Sequence, residues 1–175
     1  MFSEPAKIIS QLDLQSGSRV AELGAGSGAY TLAAARAVGE HGKVFAVEVQ
    51  KELLGRLERE ARAQRTFNIE TLWGDAEQAG GTHLADSACD AVIIANVLFQ
   101  ASDKGALARE AARLLKGRGR VLVVDWAGSY GGAGPAPSAV VSKQKAQEIF
   151  QSAGFAFERA VDAGAQHYGM ILRKK

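Results

Sequence analysis

Val20-Ala-Glu-Leu-Gly-Ala-Gly-Ser-Gly-Ala-Tyr-Thr31 decides the fold of this chain. An apolar run ends on Glu22, glycines alternate at Gly24, Gly26 and Gly28, and an Ala-rich stretch follows. That order is a strand, a tight glycine turn and a helix start, the place where α/β sheets take nucleotide-like cofactors. Glycine suits such a turn because no Cβ keeps a ligand away from the backbone.

Working outward, the same alternation continues. Ile8, Ile9, Leu12 and Leu14 mark a short helix over Phe2 to Leu14, with Pro5 in its first turn and Gln15-Ser-Gly17 as its end. Val20 to Leu23 is the first strand, and Tyr30 to Val38 the next helix, stopped by Gly39. Lys43 to Val49 is a second strand. Gln50 to Gln64 is an amphipathic helix presenting Leu53, Leu54, Leu57 and Ala61 on one face. Ile69 to Trp73 is a third strand, and Cys89 to Ala95 is apolar enough for a strand covered on both faces.

Ser102-Asp103 caps a helix running to Leu115, Lys116 to Gly119 reads as a turn, and Arg120 to Asp125 is a fifth strand. Ala127 to Pro137 is rich in Gly, Ala and Pro and reads as a mobile loop. Ser142 caps a last helix ending near Gly154. Phe155 to Val161 and Gln166 to Arg173 are joined by a link too short for a helical crossover, so they are antiparallel. The expectation is one α/β domain over residues 1–175, a doubly wound, mostly parallel seven-stranded sheet with one antiparallel strand.

Composition narrows the function classes. A hydrophobic share of 47%, a charged share of 23% and a net charge of +2 describe an ordinary globular protein, without the basic stripe of a dedicated nucleic-acid binder. Cys89 is the sole cysteine, which rules out an intrachain disulfide and a cysteine-based metal site. His41, His83 and His167 lack metal-ligand spacing. No leader and no membrane span is read, so the expected compartment is cytoplasmic.

The glycines alone fit two ligands. Gly24-Ala-Gly-Ser-Gly28-Ala29 satisfies the dinucleotide pattern, and Glu22-x-Gly24-x-Gly26-x-Gly28 satisfies one associated with S-adenosylmethionine. Glu48 closes the second strand, placed to accept from ribose hydroxyls, which both ligands carry. Asp75 follows the third strand and can accept from an adenine amine, or cap the next turn. Glu22 discriminates if it faces the ligand: a carboxylate repels a pyrophosphate at the helix start and attracts a cationic sulfonium with its zwitterionic tail, the alternative being that it points away or pairs with a local backbone N–H.

Val-Ala-Glu22-Leu-Gly-Ala-Gly-Ser-Gly28, Val-Phe-Ala-Val-Glu48, Gly-Asp75-Ala76 and Leu-Leu-Lys-Gly-Arg-Gly-Arg-Val-Leu-Val-Val-Asp125 occur in that order along the chain. As an ordered set they resemble the class I S-adenosylmethionine-dependent methyltransferases. The opening Phe2-Ser-Glu-Pro5 and the ending His167-Tyr-Gly-Met-Ile-Leu-Arg173 look more narrowly like small members near the ubiquinone/menaquinone-biosynthesis methyltransferases. The resemblance implies that Glu22 and the three glycines border the methionyl part, Glu48 the ribose, and Asp75 with Ala76 the adenine. Asn96, after the fourth strand, falls where the family places methyl group and acceptor. Asn96-Val-Leu-Phe99 lacks both prolines of the motif used by amino-group methyltransferases acting on DNA bases, glutamine or adenine.

The implied activity is methyl transfer to a small or medium-sized acceptor, a nucleic-acid or protein acceptor being left open along with the oligomeric state. No catalytic base stands out. Asp125 is the better candidate, with turn-capping as its bland role, and His167 reads as structural. Phe2, Phe99, Trp126 and Tyr130 are the aromatics expected near the site, where they form an apolar pocket or, as the safer reading, simply cover the sheet edge, and the 127–137 loop is a candidate lid. The alternatives are an NAD-dependent oxidoreductase, for which no Tyr-x-x-x-Lys pair is present, and a non-catalytic cofactor-binding subunit.

Overall fold

The computed structural model describes residues 4–175. The expected helix start at Phe2, and the place of Phe2 near a site, lie outside them. The described residues form a seven-stranded sheet in the order β3-β2-β1-β4-β5-β7-β6. The strands are β1 Arg19–Leu23, β2 Lys43–Glu48, β3 Ile69–Trp73, β4 Cys89–Ala95, β5 Leu115–Trp126, β6 Phe155–Val161 and β7 His167–Lys174. β7 runs antiparallel to both of its neighbours, β5 and β6, and the remaining pairs are parallel. The doubly wound sheet with one reversed strand is therefore the observed architecture.

Among the described residues five α-helices flank it: α1 Pro5–Ser10, α2 Ala29–Val38, α3 Lys51–Ala63, α4 Lys104–Leu114 and α5 Lys143–Ser152. One apolar layer joins Val92 and Ile94 of β4 to Leu107, Ala111 and Leu114 of α4 and to Phe150 of α5. The opposite layer joins Ile93 of β4 to Ile8 and Ile9 of α1 and to Ala34 and Val38 of α2. Period-two alternation thus sends successive β4 side chains into two different cores, which is why the strand reads as continuously apolar. Leu54, Leu57 and Ala61 are the buried stripe of α3. Two caps begin as the sequence indicates: Asp103 Oδ1 accepts from Ala106 N at 2.8 Å, and Ser142 Oγ from Lys145 N at 3.2 Å.

Two boundaries differ from expectation. α1 stops at Ser10 and the chain turns over Gln11 and Leu12, with Asp13 at φ 53°. Leu12 is buried from that turn, so its hydrophobicity reflects packing and not a helical face. The expected turn at Lys116 to Gly119 lies inside β5, which follows α4 directly. Leu115 pairs with Cys89, the register then shifts, and Arg118 takes φ 64°. A Cβ on Gly119 would stand 3.1 Å from Asp90 O, so the strand absorbs the glycines as an irregularity in close contact with β4.

The strand order reverses between β1 and β4, and a crevice opens beyond their carboxyl ends. That crevice is the site.

Candidate functional site

A cleft of about 740 Å³ occupies this crevice, within the range of small-molecule sites. Its wall includes Glu22, Gly24, Gly26, Glu48, Asp75, Ala76 and Asn96, so seven of the eight residues expected from the sequence come together. Gly28 is not on the wall. It has φ 80°, and a Cβ there would stand 2.3 Å from Leu57 Cδ1, so its glycine character serves the packing of α2 against α3. Gly24, at φ 79°, would drive a Cβ to 2.6 Å from Val97 Cγ2. Gly26 differs from both: nothing lies within 4 Å of where its Cβ would be, and it faces the open cleft.

Glu48 is 7% exposed and has three backbone donors. Oε2 accepts from Gly26 N at 2.9 Å, while Oε1 accepts from Val49 N at 2.9 Å and Gln50 N at 3.1 Å. One side chain thereby ties the end of β2 to the glycine turn and to the start of α3. Asp75 Oδ1 accepts from Glu77 N at 2.9 Å, which is the turn-capping role anticipated as its alternative. Glu77 Oε2 in turn accepts from Asp103 N at 2.6 Å, linking this loop to the cap of α4.

Glu22 is 1% exposed, and its Oε2 accepts from the Thr31 hydroxyl on α2. Burial pushes its carboxyl up to about 8, against the lowering effect of Thr31 and with a smaller upward push from Glu48. Asn96 sits at φ 58° just past β4, held by Asn96 N donating to Val124 O at 2.8 Å. Its side-chain Oδ1 is buried with no hydrogen-bond partner among the described residues. The wall therefore carries four acids (Glu22, Glu48, Asp75 and Glu77) and an orphaned amide oxygen, and among the described residues no Lys, Arg or His lines it. Such a surface suits a ligand rich in donors and positive charge, and repels a pyrophosphate. S-adenosylmethionine fits that description through its sulfonium, ammonium, ribose hydroxyls and adenine amine.

The residues weighed as bases lie off the cleft wall. Asp125 is fully buried; Oδ1 accepts from Trp126 N at 2.7 Å and Oδ2 from Phe99 N at 3.3 Å, so it caps the turns after β4 and β5. Burial raises it to about 6 even so. His167 is lowered by burial, and its ring lies 4.3 Å from that of Trp126. Phe99, Trp126 and Tyr130 do not line the cleft. Trp126 and Tyr130 instead form a cluster with the 127–137 loop, where a Cβ on Gly134 would stand 2.7 Å from the Trp126 ring. Tyr30, Ser27, Gln50 and Gln100 line the cleft without having been singled out. Tyr30 and Ser27 lie inside the deciding stretch and were readable there; Gln100 gives no local signal.

The comparisons bear on the fold and the family. The methyltransferase domain family profile matches residues 14–161. A SAM dependent methyltransferase from Aquifex aeolicus superposes with a TM-score of 0.89 at 25% identity, covering 99% of this chain and 91% of that one. A tRNA (adenine(58)-N(1))-methyltransferase of Thermus thermophilus is 37% identical over 114 residues, 64% of this chain and 44% of that protein. A ubiquinone/menaquinone biosynthesis C-methyltransferase of Paraburkholderia phymatum is 30% identical over 118 residues, 67% of this chain and 47% of the relative. The chain thus spans less than half the length of these two curated relatives. It belongs to the class I S-adenosylmethionine-dependent methyltransferase family, with S-adenosylmethionine as its cofactor.

Proposed function

We propose that this chain transfers a methyl group from S-adenosylmethionine to a small or medium-sized acceptor lacking phosphate, working as a single domain. The carrying observation is the acidic wall of the cleft beyond β1, β2 and β4, on which among the described residues no basic side chain lies. Glu22 with Gly24 and Gly26 borders the methionyl part, Glu48 the ribose, Asp75 and Ala76 the adenine, and Asn96 the transferring end. Gly28 contributes by setting α2 against α3 and not by contact.

The cofactor supplies an electrophilic methyl on a sulfonium. What the chain adds is alignment and exclusion of water, which together can lower a displacement barrier substantially. Asn96 Oδ1 can orient a donor at the transferring end, and the apolar Val97 and Leu107 line the same cleft. Among the described residues no His or Lys lines the wall, and Asp125 is fully buried with Phe99 N donating to its carboxyl. The reading therefore favours an acceptor that is already nucleophilic, or one that loses its proton to solvent.

The relatives named above act on a tRNA and in quinone biosynthesis, so their acceptors differ from each other. The acidic wall favours an uncharged or cationic acceptor over one that must bring a phosphate into the cleft. Calorimetric titration with S-adenosylmethionine, S-adenosylhomocysteine and NAD, followed by an acceptor screen, tests the proposal. Saturable binding of the two sulfur ligands and methylation of a phosphate-free small molecule are expected. Binding of NAD alone overturns the cofactor role, and methylation confined to RNA overturns the acceptor class.

A further inference from the structure

Glu22 is the most enclosed acid of the cleft, and the groups around it set an unusual balance. It lies near the end of β1, the strand between β2 and β4, with Ala46 and Ile93 as its register partners. β2 brings Glu48 to its side, a second acid, and the chain leaving β4 brings the uncharged Asn96. α2 brings Tyr30 and the hydroxyl of Thr31, which is itself fully buried and bonded to Glu22 Oε2. Among the described residues no basic side chain lines the cavity that these groups share. Glu48 has three backbone N–H donors, whereas among the described residues Thr31 alone contributes hydrogen bonding to Glu22. A carboxylate buried this completely, beside another acid and supported by one neighbour, is costly to keep charged.

We infer that Glu22 holds a proton in the ligand-free cleft and releases it to solvent when the cationic cofactor enters, with Thr31 as the residue that positions the carboxyl. This rests on the cofactor site proposed above and adds to it a proton-coupled binding step. The O–H bond of the acid breaks, the proton passes to water, and the carboxylate left behind faces the incoming positive charge. Thr31 supports that charged form by donating its hydroxyl hydrogen. The raised titration of Glu22, about 8 with burial as its main cause, agrees with the enclosure seen in the geometry. By linkage, cofactor affinity rises with pH below that value, by up to about tenfold for each pH unit, and levels off above it.

The test is calorimetry of S-adenosylmethionine binding at neutral pH in two buffers of unequal ionisation enthalpy. The amino group of the ligand also titrates near this range, so the quantity of interest is wild type minus Glu22→Gln. The expected difference is a release of about one proton per ligand bound. Equal proton counts in the two proteins overturn the inference while leaving the cofactor assignment standing. Should Glu22→Gln bind too weakly to measure, Thr31→Val carries the test through its pH profile. The plateau of affinity should move to higher pH in Thr31→Val and return in Thr31→Ser; an unmoved plateau overturns the inference. Failure of the wild type to bind S-adenosylmethionine in any buffer instead overturns the cofactor site, and this inference with it.

Discussion

Glu48, the last residue of β2, accepts the amide N–H of Gly26, the middle glycine of the turn after β1, at 2.9 Å. The bond explains how an acid expected at the ribose also shapes the turn meant for the methionyl part. With Val49 N and Gln50 N on its other oxygen, the carboxyl fixes three chain segments at one point. Glu48→Ala leaves those donors to find water, at a cost of about 1–3 kcal/mol. Affinity for S-adenosylmethionine should fall at least several-fold. Asp75→Ala should also weaken binding, with a smaller loss of stability because Asp75 has one backbone donor. Unchanged affinity in both variants removes the two acids from the site.

Gly26 and Gly28 separate binding from packing. A Cβ on Gly28 meets Leu57 at 2.3 Å in a backbone of φ 80°, so Gly28→Ala should lower the melting temperature markedly. Gly26→Ala has open space and a left-handed φ of 53°, which costs an L-residue about 1–2 kcal/mol. The added methyl projects into the cleft, so this variant should fold and bind the cofactor poorly. Measuring melting temperature and affinity for each protein checks the contrast, and full affinity in Gly26→Ala would contradict it.

The fold was legible because β4 and the glycine turn carry strong local signals that tertiary packing reinforces. Strand ends at Glu48, Trp73 and Ala95 could be read to within a residue, since each ends an apolar run at a polar residue or glycine. Lys116 to Gly119 misled because two glycines resemble a turn, whereas the pairing of Leu115 with Cys89 extends the ladder across them. In the cleft, Glu22, Glu48 and Asp75 were legible by position along the strands, whereas Glu77, three residues beyond Gly74, was not singled out. Their partners were not: nothing local ties Glu48 to Gly26, 22 residues away, or shows that Phe99 N closes off Asp125. Nor did anything local show that Phe99, Trp126 and Tyr130 stay off the cleft wall; Trp126, for one, meets His167 across two strands joined only in the sheet.

The 127–137 loop rests on Trp126 through Gly134, with Tyr130 and Ala133 exchanging backbone hydrogen bonds. If it acts as a lid, protease cleavage within it should slow when cofactor and acceptor are both present. Gly134→Ala places a Cβ 2.7 Å from the Trp126 ring at φ 81°, which should lift the loop and speed cleavage in the free protein. Equal cleavage rates with and without ligands count against a lid.

The enclosure of Glu22 has a consequence for the free protein that needs no ligand to observe. Its folded value, about 8, lies above the ordinary carboxyl value of the unfolded chain. Between those values the folded state holds a proton that the unfolded state has lost, so stability falls as pH rises and levels off above about 8. Glu22→Gln lacks the ionisation, so its advantage over the wild type should grow from pH 5 to pH 8, by up to ~1.4 kcal/mol for each pH unit and a few kcal/mol in all. Asp125, raised to about 6 by burial, acts in the same direction but is present in both proteins and cancels in the difference. Excess S-adenosylmethionine should narrow the gap, since the cation stabilises the charged acid that glutamine cannot supply. Urea unfolding of both proteins across this pH range decides the matter; parallel stability curves would mean that Glu22 is already ionised in the empty cleft.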